Sequence, residues 1–467
     1  MMPDEQPDEF IRTVPRVVSV LPAAWMRPDF VPTGEAMTMA WLTELRDGTD
    51  DYRHVGGRWL TYRKGIWQLD ECDTVGRSVG EFCRKVGSDL RKKELKKAVE
   101  SYANHVGMVG RLRTELAAAA DDFDTDIDLI ATPAGAIFSA DEDDDLPRPH
   151  QKENMVTKCC AVSPVEMPTP TWDAFLLRVC AGDQAVVDYL HRWFGYCLTG
   201  STKEQVFVFL YGFGQNGKGV LLDTVQGIMG TYATSASIDM FVKQRNEKHP
   251  EELAGMRGVR LVVAEETDKG RAWNEGLLKH LVSGDRVRAR YMRQNSFEFT
   301  PHFKITISGN HRPVINVDKA MRRRIHLVPF MVEIPDAERN LHLREDLRGE
   351  WPGILWKLLQ GQRAWRRGGL APPEAVLAAT EEYVEDEDSI GQWLRECTMA
   401  DLAGRATTMV LYGSWQVWAT NAGEPKISAK AFSQALRSHG LRPYRNAKER
   451  GFVGVRLAPA GGQEPGW

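Results

Sequence analysis

The chain has 467 residues, enough for about three domains that each bury a hydrophobic core. Hydrophobic residues make up 42% and charged residues 27%, the composition of an ordinary soluble protein. The net charge of −4 excludes a strong overall attraction to nucleic acid, so any such contact must come from local basic patches. The seven cysteines form no C-x-x-C pair, and no apolar run is long enough for a membrane span. We therefore expect a cytoplasmic protein without a membrane partner.

The first region, residues 1–155, is predicted to be an α-rich mixture of helices and strands. Alternating apolar residues at Trp59–Tyr62 and Ile66–Leu69 predict a hairpin. From Val75 to Val106 the apolar residues recur at helical spacing. The same stretch has a basic face, formed by Arg91, Lys92, Lys93, Lys96 and Lys97. This basic face is either a solvated helix surface or a contact for nucleic acid. For residues 1–155 as a whole we expect a collar or DNA-binding role.

Residues 156–202 predict two helices ahead of the next apolar strand. The first is entered through Pro170 and ends at Gly182. An aromatic stripe on these helices is expected to be buried core: Trp172, Phe175, Trp193 and Phe194.

A glycine-rich loop follows an apolar strand pattern and precedes an apolar helix pattern, within Leu210 to Leu221. Its sequence GFGQNGKG matches G-x-x-x-x-G-K, the loop whose backbone N–H groups surround phosphate oxygens. The positive end of the following helix and the Lys218 ammonium add charge for the outer phosphates. We expect a nucleoside triphosphate here, bound by Gly212, Gly214, Gln215, Asn216, Gly217, Lys218 and Gly219. Gly219 stands where Ser or Thr normally coordinates Mg2+, so the metal needs another partner, or only water.

Polar residues end two later apolar strands. The strand RLVVAEE ends in Glu265 and Glu266. At the edge of a nucleotide-binding sheet, one such carboxylate can hold Mg2+ through water while the other polarises the attacking water. The strand FKITISGN ends in Asn310, whose amide can orient the γ-phosphate or its water.

Arginines dominate the segments on either side of Asn310. Val287–Tyr291 and Phe297–Thr300 predict a basic hairpin that suits single-stranded nucleic acid, through phosphate charge and base stacking. Its candidate contacts are Arg288, Arg290, Tyr291 and Arg293; the alternative is a solvated subunit edge. Arg322–Arg324 run directly into another apolar strand and suit a finger that reaches the γ-phosphate of a neighbouring subunit. If they are only surface charges, the chain could work as a monomer.

The C-terminal part predicts a helical extension at residues 336–384 and a winged helix at 385–459, where helices precede a small hairpin. The winged-helix segment carries a basic surface for the DNA backbone, formed by Lys426, Lys430, Arg437, Arg442, Arg445, Lys448, Arg450 and Arg456. The alternative is a protein-docking wing. Residues 460–467 are predicted to be a flexible tail.

Taken in this order, the motifs resemble the superfamily 3 helicases, and within them the phage and plasmid primase-helicase branch related to the poxvirus primase-helicase. The resemblance covers roughly Val156 to Val455. It implies an α/β fold with an AAA+-like P-loop ATPase core at residues 203–335, which uses ATP and Mg2+. It also implies a homo-oligomeric, hexameric ring that moves along single-stranded DNA.

The resemblance also implies roles for single residues. Lys218 would bind the phosphates, and Glu265 and Glu266 would be the acidic pair and the metal ligands. Glu266 matches the more regular position of the two. Asn310 becomes the γ-phosphate sensor, and Arg323 or Arg324 the finger. Lys279 belongs to the motif whose following hairpin lines the pore and binds DNA.

The resemblance suggests a replicative DNA helicase of a phage or other mobile element, acting on forked DNA in the cytoplasm, which is that of a bacterial host if the protein is phage-encoded. About 150 residues precede the helicase segments without an evident acidic catalytic triad, so we expect no primase activity and a separate primase or other replication proteins as partners. The alternative is an ATP-dependent, origin-binding initiator or helicase loader without processive unwinding.

Overall fold

The structure is a computed structural model that describes residues 24–27, 30–47, 51–138, 147–243, 250–266, 272–292, 295–313, 319–386, 388–424, 427–446 and 449–458. The chain falls into two compact units, one of residues 1–63 with 67–122 and one of residues 64–66 with 123–467.

The N-terminal unit combines helices with a three-stranded sheet of order β1-β2-β3. Its elements are α1 (Gly34–Asp47), β1 (Tyr52–Val55), β2 (Arg58–Arg63), β3 (Ile66–Leu69), α2 (Thr74–Asp89), α3 (Lys93–Val99) and α4 (Tyr102–Glu115). Strands β2 and β3 are the predicted hairpin. The predicted helical stretch is divided into three helices. Leu90 and Lys92 adopt an extended backbone between α2 and α3, and Ser101 caps the N-terminus of α4. The five basic residues of this stretch are exposed.

The second unit is built around a five-stranded sheet of order β12-β6-β11-β8-β7, whose strands are all parallel. The elements up to its last strand are β4 (Leu129–Thr132), β5 (Gly135–Phe138), α5 (Pro170–Val179), α6 (Gln184–Leu198), β6 (Phe207–Tyr211), α7 (Lys218–Met229), β7 (Ala233–Ser235), α8 (Pro250–Gly255), β8 (Leu261–Glu266), α9 (Glu275–Val282), β9 (Val287–Ala289), β10 (Phe297–Phe299), β11 (Lys304–Gly309), α10 (Lys319–Arg322) and β12 (Ile325–Pro329).

Both faces of this sheet are covered, which explains the nearly continuous apolar runs of its strands. One face packs against α5, α6, α7 and the later helix α11 (Leu343–Gly368), and its core includes all four residues of the predicted aromatic stripe. The other face forms a second core around Trp273 and Phe299. Residues of β8 alternate between them, with Leu261 and Val263 on the α7 side.

The remaining helices and strands follow α11. They are α12 (Glu374–Asp386), α13 (Ser389–Cys397), β13 (Thr398–Thr407), α14 (Thr408–Ala422), α15 (Ala429–Ser438), β14 (Arg442–Arg445) and β15 (Arg450–Leu457). The last three strands form a sheet of order β13-β15-β14 over a core that includes Trp393, Trp415 and Phe432. Strand β13 is absent from the sequence prediction, because its ladder shifts register between Asp401 and Arg405 and its apolar alternation is broken there.

Within the described part of the chain, no helix is both long enough and apolar enough to cross a bilayer.

Candidate functional site

The glycine loop joins β6 to α7, as the sequence predicts. Gly217 precedes α7 with a φ of 83°, a left-handed conformation in which a side chain is strained. A Cβ at Gly212 would lie 2.0 Å from the Phe330 carbonyl oxygen, so only glycine fits there. The amide of Asn216 is buried and donates to that same carbonyl at 2.9 Å, which fixes the base of the loop.

Lys218 lies at the centre of this loop and is 7% exposed. Its Nζ donates to the Gly212 carbonyl at 2.5 Å, to Asn216 Oδ1 at 3.1 Å and to Asn310 Oδ1 at 3.2 Å. Burial lowers the pKa of Lys218 to about 8, and the nearby Glu265 carboxylate opposes that shift. The ammonium is therefore held at the loop by neutral oxygens, which are weaker partners than phosphate oxygens would be.

Parallel strand register brings the predicted polar residues to one edge of the sheet. Tyr211, Gly309 and Glu266 are ladder partners across β6, β11 and β8, so the glycine loop and Asn310 leave the sheet side by side. Glu265 continues the row of Leu261 and Val263 on the α7 side, and its side chain is exposed. The Glu266 side chain lies outside the described residues. Lys218, Glu265 and Asn310 are thus brought together.

Space beside Gly219 suits a hydrated metal ion. A Cβ at Gly219 would meet no atom within 4 Å, so the missing hydroxyl leaves open space. The described residues contain no group of three or more His, Cys, Asp or Glu side chains that could enclose a metal. Mg2+ is commonly held by one or two carboxylates, water and substrate phosphates, and Glu265 with this space fits that kind of site.

A cavity of about 680 Å³ opens beside the loop and was missed by sequence reasoning. Phe175 and Ile334 give it apolar walls, and Gln215 and Asn340 supply polar groups. These residues come from α5, the loop and the segment before α11, which are far apart in sequence, so no local motif could have signalled it. Its rim carries the ion pair between Arg178 and Glu338, at 2.8 Å.

The basic hairpin is formed by β9 and β10, which pair antiparallel with Ala289 opposite Phe297. Arg288 donates to Ser296 Oγ at 2.7 Å, whereas Arg290 is exposed without a hydrogen bond or ion pair in the described part of the chain. The Tyr291 ring stacks on Phe297 at 5.4 Å and its hydroxyl donates to the Ala254 carbonyl at 3.1 Å. Tyr291 is therefore fixed to the protein on one side. Lys279 on α9 pairs with Glu275 at 3.4 Å, and Arg293 lies outside the described residues.

The two finger candidates differ in their surroundings. Arg323 is exposed and has no hydrogen bond or ion pair among the described residues. Arg324 is half-buried and donates to the Ala320 carbonyl at 2.8 Å. Both precede β12, at the end of the sheet opposite the glycine loop. The length of a five-residue strand, about 16 Å, separates them from the loop of their own chain.

Two family models match this chain. One, described as D5 N terminal like, matches residues 40–181, and a family of unknown function (DUF5906) matches residues 210–324, which include the glycine loop. Among curated proteins, the chain is similar to "Putative helicase L207/L206" of Acanthamoeba polyphaga mimivirus, with 26% identity over 242 residues, 47% of this chain and 25% of that protein. It is also similar to "Putative helicase 022R" of Frog virus 3 (isolate Goorha), with 24% identity over 323 residues, 64% of this chain and 31% of that protein.

The chain therefore spans between a quarter and a third of the length of these curated relatives. Among solved structures, one apo structure of the NrS-1 C-terminal region matches with a TM-score of 0.51 and 11% identity, over 91% of this chain and 100% of that one. Another matches with a TM-score of 0.50 and 11% identity, over 89% of this chain and 98% of that one. The family matches and the viral relatives support a protein related to the phage and viral primase-helicases, and the solved structures show that the chain shares the fold of the NrS-1 C-terminal region.

Proposed function

We propose that this protein is an ATP-dependent replicative DNA helicase that moves along single-stranded DNA as a homo-oligomeric ring. The observation that carries the proposal is the meeting of Lys218 and Asn310 at the edge where the glycine loop leaves the parallel sheet. A cationic group held between a phosphate loop and a strand-end amide is suited to the outer phosphates of a nucleoside triphosphate. In this proposal residues 203–335 are an AAA+-like core.

ATP would lie with its phosphates on the loop and its base in the adjoining cavity. The loop N–H groups and the start of α7 would hold the phosphate oxygens, and Lys218 would exchange its four neutral oxygen partners for phosphate. Phe175 and Ile334 would pack against the base, with Asn340 available for hydrogen bonds.

Hydrolysis needs an attacking water and stabilised charge on the γ-phosphate. Glu265, on the α7 side of β8, would hold Mg2+ through water, and Glu266 would polarise the attacking water. When bound, Mg2+ would supply neutralisation of the charge on the phosphates. Asn310 would orient the γ-phosphate from the neighbouring strand.

Completion of the site would require a second copy of the chain. Because Arg323 lies at the opposite end of the sheet from its own loop, it can act only on the nucleotide of a neighbouring subunit. Its exposure and lack of a partner among the described residues make it a better finger than Arg324, which is held by Ala320. Hydrolysis between subunits is the arrangement that a ring requires, and a hexamer is the size that the resemblance suggests.

DNA would be bound at two places. The exposed Arg290, with Arg288 and Lys279, would contact the phosphates of a single strand. The C-terminal residues 385–459 would act as a winged helix whose exposed basic side chains contact DNA, among them Lys430, Arg437 and Arg442. Residues 1–155 would form a collar or a DNA-binding region. Residues 156–202 would be the helical segment before the core, and residues 336–384 the helical extension. Lys426 and Lys448 of the predicted basic surface, and the predicted tail at residues 460–467, lie outside the described residues.

A second candidate function is an origin-binding initiator or helicase loader that uses ATP only to assemble. The open space at Gly219 favours it, because loss of a metal-coordinating hydroxyl favours slow turnover. In either case a separate primase or other replication proteins would be partners.

Removal of the Lys218 ammonium tests the phosphate role directly. Lys218→Ala is expected to lower ATP hydrolysis by about 100-fold or more, because a buried cation at the transferring phosphate is lost. Steady-state hydrolysis with and without single-stranded DNA measures this, and size-exclusion chromatography checks that assembly is retained. DNA-stimulated turnover at the wild-type rate in Lys218→Ala would refute the assignment.

A further inference from the structure

Arg312 lies two residues beyond Asn310, at the edge where the proposed nucleotide site is located, and none of the roles above uses it. Its guanidinium lies over the ring of Tyr211, at 4.6 Å, and Tyr211 is the last residue before the glycine loop. The side chain is 20% exposed. Arg312 is therefore a largely buried cation in contact with the strand that leads into the loop.

Two carboxylates of helix α12 hold this cation. Arg312 pairs with Glu382 at 3.2 Å and with Asp386 at 3.0 Å, one turn apart on the helix. A fork of two charge-assisted hydrogen bonds fixes both distance and orientation, which a single point charge would not do. Tyr383, between the two acids, also donates a hydrogen bond to the Pro313 carbonyl. The segment after Asn310 is thus fastened to α12 by backbone and side chain.

Helix α12 in turn contacts the elements that follow it. Gln392 of α13 donates to the carbonyls of Glu385 and Asp386, at 3.1 and 3.2 Å. Asp388 caps α13 by accepting from the Gly391 N–H, and it pairs with His439 at the end of α15 at 3.0 Å. These contacts form a continuous connection from the nucleotide edge to α15, a helix of the proposed DNA-binding surface.

We propose that Arg312 is a positioning residue that couples the state of the glycine loop to helix α12 and, through α12, to the C-terminal DNA-binding elements. The inference rests on the proposed nucleotide site. Asn310 shares Lys218 with the loop, so a γ-phosphate that engages both would move the backbone that carries Arg312. Its paired acids then transmit that movement to α12.

Hydrogen exchange on the full-length protein tests the coupling without requiring turnover. Binding of a slowly hydrolysed ATP analogue is expected to slow exchange at the α12 amides, residues 374–386, at least threefold in the wild type. In Arg312→Gln this protection is expected to be lost while the analogue still binds within about twofold of wild-type affinity. Glu382→Gln with Asp386→Asn is expected to give the same loss, and the triple variant no further loss, because residues of one network are non-additive.

The control is Lys85→Gln, which removes an exposed ion pair with Glu44 in the N-terminal unit. It is expected to leave the protection unchanged. Arg312→Lys keeps the positive charge but loses the paired hydrogen bonds of the guanidinium to Glu382 and Asp386, so we expect intermediate protection of α12. If Arg312 had only a structural role, the charge and aliphatic stem of lysine would restore full protection.

Two outcomes overturn the inference: α12 protection that persists in Arg312→Gln, or analogue binding without any α12 protection in the wild type. Measurement of ATP hydrolysis on the same samples separates this result from the proposed function. A wild-type protein that shows Arg312-dependent protection but no hydrolysis would refute the helicase proposal and support the coupling.

Discussion

At the residue scale, Lys218 has the most informative environment in the site. Burial at the loop lowers its pKa to about 8, and the carboxylate of Glu265 limits that decrease. With a pKa of about 8, the ammonium is half charged near pH 8, mostly charged at pH 7 and mostly neutral at pH 9. Because phosphate binds the charged form, the pH dependence of nucleotide affinity reports on this one side chain.

We therefore expect the affinity for ATP to fall as the pH rises from 7 to 9.5, by at most about tenfold per pH unit for loss of one proton. Titration with a fluorescent ATP analogue at each pH measures the affinity. Lys218→Arg provides the matched control, since a guanidinium stays charged over this range and should flatten the profile. A profile that is equally steep in Lys218→Arg would assign the pH dependence to another group.

Substitutions at Gly217 and Gly219 are expected to have different effects, although the two glycines are only two positions apart. Gly219→Ser has room for its side chain and returns a hydroxyl to the place where Mg2+ would be bound, so we expect unchanged stability and a lower Mg2+ concentration for half-maximal hydrolysis. Gly217→Ala requires a left-handed alanine, at about 1–2 kcal/mol, and its Cβ would lie 2.7 Å from the Val179 side chain. Thermal unfolding and magnesium titrations measure both effects. A Gly219→Ser protein that needs more Mg2+ would place the metal elsewhere.

At the element scale, sequence reasoning succeeded where a local pattern carries the information. The strand, loop and helix around Gly217 follow from an apolar run, glycine spacing and a helix period, and β9 with β10 follows from alternation. The aromatic stripe was correctly predicted as core because Trp172 and Trp193 recur on the buried faces of two short helices.

Other elements depend on contacts that no local pattern encodes. The cavity beside the glycine loop needs α5 and the segment before α11 to meet at the loop, and Arg312 needs two acids about 70 residues away. Tyr291 was predicted to stack on bases, and the position of its ring could not be predicted, because its hydroxyl bond to Ala254 depends on α8, about 40 residues earlier. The preference for Arg323 over Arg324 follows from a local contact that the run of three arginines does not reveal, because Arg324 donates to the Ala320 carbonyl four residues earlier.

At the scale of the whole molecule, the separation of Arg323 from its own loop predicts that the active unit contains more than one copy. Arg323→Ala and Lys218→Ala proteins should each be inactive alone, with a loss of about 10³-fold or more for the finger. Mixed together, they should regain part of the activity, because an intact loop in one copy can face an intact Arg323 in the other. Hydrolysis measured across mixing ratios tests this, and Arg324→Ala mixed with Lys218→Ala serves as the comparison.

No recovery at any ratio, in mixtures shown by mass photometry to contain mixed oligomers, would contradict hydrolysis between subunits. An Arg324→Ala protein that is inactive alone and regains activity when mixed with Lys218→Ala, beside an Arg323→Ala protein that stays active alone, would assign the finger to the half-buried arginine.

The central claim is that the chain is a motor rather than an assembly switch, and strand displacement of a forked DNA with ATP tests it most directly. Purified protein should separate the strands, whereas Glu266→Gln, which keeps the shape of the side chain but removes its charge, should bind ATP and DNA and separate none. Loss of unwinding in the variant alone is the predicted result. A wild-type protein that hydrolyses ATP and binds the fork but leaves the strands paired would contradict the helicase proposal and favour the loader.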